Sequence, residues 1–131
     1  MVTACTAFDG EEIDDFLRSQ MWDCIEERDR ILGNCRYRVI ATAMLARALP
    51  AAKRATLDMD FLEALSELYP DCEDFYFPSS GKLFAAESVR RDETEGTNRF
   101  IYFGVNVRFF NVQDSEDMVV DTLGMSTLFL P

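Results

Sequence analysis

Four polar residues stand inside apolar, strand-forming sequence. Asn106 and Arg108 sit in Gly-Val-Asn-Val-Arg-Phe-Phe, and Asp121 and Thr122 follow Met-Val-Val. A guanidinium beside a carboxylate on neighbouring strands can lock their register. It can equally present a planar fork to a ligand carboxylate or phosphate. Asn106, Arg108, Asp121 and Thr122 are therefore the candidate ligand-binding residues, with the register pair as the competing reading. Little other chemistry is on offer. The chain has no histidine, which excludes Ser-His-Asp and Cys-His catalysis. It carries no G-x-S-x-G, P-loop or G-x-G-x-x-G segment. The Ser79-Ser80-Gly81-Lys82 stretch has the composition of a turn, and backbone N–H groups there could cup an anion. Most other carboxylates recur at the spacing of a solvated helix face, not as the fixed pair that acid–base work needs. No catalytic residue and no cofactor is assigned.

Cys5, Cys24, Cys35 and Cys72 are widely spaced, with no C-x-x-C. Zinc sites want thiolates in close pairs, usually with imidazole, so no metal site is assigned. At 131 residues and 48% hydrophobic content, a single domain spanning the whole chain buries a core without disulfides. The cysteines are read as reduced, mostly as small buried hydrophobes of a cytosolic protein. The formal net charge is −11, which repels phosphate backbones and anionic lipid surfaces. Nucleic acid and membranes are thus excluded as expected partners, leaving solubility or a basic protein partner as the meaning of the charge. No signal-peptide pattern opens the chain and no apolar run is long enough to cross a bilayer.

These residues must be positioned by a β framework. Residues 100–112 alternate strictly, with Ile101, Phe103, Val105, Val107 and Phe109 on one face and Tyr102, Gly104, Asn106 and Arg108 on the other. That predicts a long mid-sheet strand with its odd-numbered side buried. A loop over 113–116, closed by Val112 and Asp117, sets Phe110 opposite Val119 and Arg108 opposite Asp121 on the returning strand, 117–122. Residues 2–7 read as a first strand. Asp9 is placed as an N-cap that Glu12 can answer in a capping box. From Ile13 to Leu32 an apolar stripe predicts one long helix, with Trp22 at its edge and Gly33-Asn34 as its stop. Helix and strand compete over 36–44. A strand through about Ala43 makes a β-α-β unit with parallel strands.

Pro50 and Pro70 bracket a second helix with Leu57, Phe61, Ala64, Leu65 and Leu68 as its apolar stripe and Asp58 facing solvent. Residues 72–77 and 82–84 read as short strands, 85–91 as a short helix, and 92–98 as a loop. The apolar end, 124–131, is expected to pack into a groove or against a second copy, or else to lead into further chain.

Three segments also carry a family likeness. Tyr69-Pro70-Asp71-Cys72-Glu73 leading into Ser80-Gly81-Lys82-Leu83, then Val105-Asn106-Val107-Arg108-Phe109-Phe110, then Val120-Asp121-Thr122-Leu123-Gly124-Met125, together resemble the C-terminal region of a bacterial family catalogued as domain of unknown function 4261. The likeness covers the second half of the chain most clearly. It implies a bacterial context and no mechanism, because that family has no assigned activity. Its members tend to run a little past the Leu-Pro at 130–131.

The expected fold is α+β: a mixed, largely antiparallel sheet of about five strands, with two main helices packed on one face. The expected function is a non-enzymatic, cytosolic protein-interaction module, such as an acidic inhibitor or immunity-type protein, with self-association as a further possibility. The competing class is a small ligand-binding or enzymatic domain built on Asn106, Arg108, Asp121 and Thr122. A deep pocket lined by those four would favour it.

Overall fold

The β-prone run over residues 2–7 does form a strand. In the computed structural model, which describes residues 1–129, β1 (Val2–Ala7) pairs with β2 (Tyr37–Thr42). The pairing is antiparallel, from Val2 against Thr42 to Ala7 against Tyr37, so the expected parallel β-α-β unit is not present. The single helix expected over 13–32 is likewise broken. The chain instead makes α1 (Asp15–Ser19), a 3-10 turn at Trp22–Cys24 and α2 (Arg28–Asn34). A straight helix of that length would span about 30 Å. Gly10, however, lies so close to Leu32 that a Cβ on it would meet the Leu32 carbonyl oxygen at 2.4 Å. The segment folds back to close that distance, and two arginines brace the turns with further bonds to carbonyls that also accept backbone N–H groups. Arg18 Nη2 donates to Gly10 O at 2.7 Å, and Arg28 Nη1 to Arg18 O at 2.6 Å. The Asp9 capping box forms as expected, on a 3-10 turn at Gly10–Glu12.

The second helix, α3 (Ala51–Leu68), follows Pro50 and stops before Pro70. Its buried stripe is Ala55, Met59, Leu62 and Ser66. The expected stripe through Leu57, Phe61 and Leu65 is displaced to the flank and only half covered, and Asp58 is half-buried with it. Next come β3 (Asp74–Phe77) and β4 (Lys82–Ala85), an antiparallel pair, and then α4 (Ala86–Arg91).

Over residues 100–112 the alternation misleads for its first half. α5 runs Gly96–Gly104, and the strand β5 only Asn106–Asn111. Phe100, Phe103 and Gly104 are buried at helical spacing, while Ile101 and Tyr102 are exposed. Lys82 is buried and caps this helix, its Nζ donating to the carbonyls of Tyr102 and Val105. A cation on C-terminal carbonyls opposes the helix dipole. β6 (Met118–Leu123) returns antiparallel to β5 in the expected register, Phe110 against Val119 and Arg108 against Asp121. Gly124 then turns at φ +96, because a Cβ there would lie 2.3 Å from the Gly104 carbonyl oxygen. The short α6 (Ser126–Phe129) closes the described chain, with Met125 and Leu128 packed on the core. The expectation for the apolar end falls partly on 130–131, which lie outside the described residues.

The fold is α+β, but its strands form three separate two-stranded antiparallel sheets among the described residues, β1–β2, β3–β4 and β5–β6, in place of one sheet of about five. One core joins the middle of the chain. Phe84 stacks with Phe75 and Phe77 and lies 4.9 Å from the Phe103 ring. Leu83, Phe100 and Phe103 are fully buried, each worth roughly 1.5–3 kcal/mol. The β1–β2 and β5–β6 ladders stand outside this core. Every residue of β1 is exposed, as are most of β2 and β6. Two-stranded ladders left this open are marginal on their own.

Candidate interaction surface

β5 and β6 bring the four candidate residues only partly together. Arg108 Nε donates to Asp121 Oδ1 at 2.7 Å, and Arg108 Nη2 donates to Oδ2. The guanidinium also lies over the Phe110 ring, 5.1 Å from its centroid. The hydrogen bond from Arg108 holds the Asp121 carboxyl below its ordinary value of 3.8, and the same bond raises the guanidinium above its own. The fork proposed for an external anion is therefore filled by a carboxylate of its own chain. Asn106 shares this face of the ladder, yet it does not belong to an exposed site as expected. It is 2% exposed, and its Nδ2 donates to Gln20 O at 2.9 Å and Ser80 O at 3.1 Å. It ties β5 to two distant segments. Thr122 pairs with Val107 and so lies on the opposite face. The Ser79-Ser80 turn does not offer its N–H groups to an anion either, since those of Ser80 and Gly81 both donate to Phe77 O.

That opposite face carries the feature that sequence reasoning missed. Val107, Phe109, Met118 and Val120 share it with Thr122 and Asn111. All four are large apolar side chains 42–58% exposed. Trp22, itself 43% exposed, meets Phe109 edge-on at 6.5 Å between ring centroids. The alternation did separate the two sides of the strand, but the odd-numbered side expected to be buried is here the open one, with Val107 42% and Phe109 49% exposed, because no second layer packs on this ladder face. Asp114, Glu116 and Asp117 lie in the loop at the tip of the hairpin and are all exposed. The result is an apolar strip with a free aromatic pair and an acidic end. Contiguous exposed apolar surface of this kind marks contact sites, and aromatic side chains are the commonest energetic anchors in them.

Two cavities lie elsewhere, and none of Asn106, Arg108, Asp121 or Thr122 lines either. One, about 560 Å³, lies between α3 and the segment 89–99 and is rimmed by acids that include Glu63, Asp92 and Glu95. Arg99 bridges it, 3.3 Å from Glu63 and 3.2 Å from Asp92. The other, about 890 Å³, is an open apolar channel bordered by β2, α3 and β3. At one end of it Cys35 Sγ donates to Asp74 Oδ1 at 3.4 Å and Cys72 Sγ to Asp74 O at 3.1 Å. Burial, and then the Asp74 charge, push the Cys35 thiol up to about 12. Burial pushes Cys24 to about 11 and raises Cys72 as well. Thiols so shifted are poor nucleophiles. All four cysteines are free, with Cys24 buried, Cys35 and Cys72 half-buried, and Cys5 exposed on β1. Among the described residues no cluster of acids and thiols could hold a metal ion, and no helix is long and apolar enough to cross a membrane.

No family model, no curated protein and no solved structure matches the chain.

Proposed function

We propose that this protein is a non-enzymatic interaction module that binds a basic protein through the β5–β6 hairpin. The observation that carries the reading is the strip of Val107, Phe109, Met118 and Val120 left open beside Trp22. Water contact at such a strip is unfavourable by about 25 cal/mol for each Å² of apolar surface. A partner that covers it gains that area. Net charge of −11, together with Asp114, Glu116 and Asp117 at the hairpin tip, favours a basic partner and speeds encounter with it. An inhibitor or immunity-type protein acting on a basic target fits this chemistry. The likeness of 69–83, 105–110 and 120–125 to the family of unknown function 4261 adds a bacterial setting to the proposal.

The ladder's internal pair supports an interaction role over a ligand site. Arg108 and Asp121 satisfy each other, which stiffens the hairpin and leaves its other face to do the binding. Stiff, pre-formed surfaces lose less entropy on association. The test is capture of partners from lysate of the source organism, followed by titration of the purified partner with the wild-type chain and with Phe109→Ser. The proposal predicts a basic partner, an affinity that falls with added salt, and a loss of about 2 kcal/mol or more for the variant. A partner bound equally well by Phe109→Ser would refute it. Light scattering of the free protein separates this reading from self-association.

A further inference from the structure

The channel beside α3 has an unusual border. Every residue over 35–41 and every residue over 68–78 lines it. The face of a strand would contribute only alternate residues, so the channel is bordered by the strands' edges. The ladder phases agree. Phe8 N–H donates to Arg36 O, and in the antiparallel alternation this makes the pairs Thr6–Arg38 and Ala4–Ile40 the bonded ones. The N–H and C=O groups of Tyr37, Val39 and Ala41 therefore point out of the free edge of β2. On the far side, Ala86 N–H donates to Glu73 O, which sets Phe75 against Phe84 as a bonded pair and leaves Asp74 and Tyr76 pointing outward. The floor is the half-covered flank of α3, with Phe61 and Leu65, and the buried Leu62.

We propose that this channel accepts an added β-strand: an extended segment of a partner protein, alternating apolar and basic residues, that bridges the edges of β2 and β3. Such a segment would join two two-stranded ladders into a sheet of five strands in the order β1–β2–guest–β3–β4. Main-chain bonds to two edges supply affinity, and the pockets below alternate side chains supply specificity. The charge requirement comes from the lining. Four carboxylates (Asp58, Asp71, Glu73 and Asp74) stand against two guanidiniums, Arg36 and Arg38. Arg38 is held by Glu12 at 2.8 Å, and Glu73 lies 3.6 Å from Arg30. Asp71 and Asp74 have no ion pair among the described residues. Burial raises the Asp74 and Asp58 carboxyls above their ordinary value, Glu73 adds to the rise at Asp74, and Arg54 offsets only part of it at Asp58. Lysine or arginine on the guest would supply positive charge there. This site is separate from the β5–β6 strip and does not depend on it.

The probe is a short capped peptide of alternating lysine and valine, added to the isotopically labelled full chain. Two further peptides serve as controls: one with glutamate for lysine, and one N-methylated at alternate residues so that it cannot donate to an edge. The lysine peptide is expected to slow amide exchange on the order of tenfold at Tyr37, Val39, Ala41 and Tyr76, and the controls to leave it unchanged. Val39→Pro removes an outward N–H without removing a ladder bond and should abolish the protection. If that variant fails to fold, Asp74→Lys takes its place and should shift preference toward the glutamate peptide. Phe109→Ser should leave peptide binding intact, which separates this proposal from the hairpin contact. Lack of binding, equal binding of the N-methylated peptide, protection confined to β5–β6, or an unchanged preference in Asp74→Lys would each overturn it.

Discussion

Asn106 shows how a single amide can matter more to the fold than to a ligand. Its Nδ2 joins Gln20 O and Ser80 O inside the protein, so Asn106→Ala leaves two buried carbonyls without that donor. The expected cost is about 2 kcal/mol, read from urea denaturation. Asp74 gives a test by pH. Its carboxyl is raised by burial, so its folded form holds a proton that the unfolded chain has released. That contribution is complete below the ordinary value of 3.8 and is lost as pH rises through the folded value. Asp121 works in the opposite sense, since Arg108 lowers it. Its contribution is present above 3.8 and lost as pH falls through the folded value. Denaturation midpoints followed from pH 3 to 7 should therefore decline less steeply above 3.8 in Asp74→Asn than in the wild type. A parallel pair of curves would contradict the burial assigned to Asp74.

At the level of elements, glycines test the close approaches that decide the topology. Gly124→Ala forces a Cβ to within 2.3 Å of Gly104 O at a positive φ and should cost about 3 kcal/mol or prevent folding. Gly33 in α2 has nothing within 4 Å of its Cβ position, and Gly33→Ala should stabilise by about 0.5–1 kcal/mol. Thermal melts of the two variants should move in opposite directions. The same approaches explain which elements could be read from the sequence. The Arg108–Asp121 register followed from loop length alone, because a hairpin is local. The segment 100–104 did not, since Phe100, Phe103 and Gly104 satisfy a helical stripe as well as Phe103 and Val105 satisfy a strand. The choice was made by Lys82, some twenty residues away, placing its cation on the helix end. The break of 13–32 was hidden for the same reason. Nothing in the stripe from Ile13 to Leu32 announces that Gly10 must touch Leu32.

Across the whole molecule, the α+β class was legible in the alternating and helical periods, but the pairing of the described strands into separate ladders was not. Sheet order depends on edges meeting, and no residue pattern marks an edge as left open. The candidate cluster was half legible on similar grounds: pattern placed Arg108 beside Asp121, yet burial of Asn106 came from Gln20 and Ser80 far along the chain. What results is an acidic molecule with a central aromatic core and two ladders standing clear of it. On the proposed reading, stability comes from the first and contact from the second. The most direct check is amide exchange of the chain alone and in complex with its purified partner. The account predicts new protection across β5 and β6, centred on Phe109 and Val120. Protection that spared this hairpin, with the partner firmly bound, would contradict it.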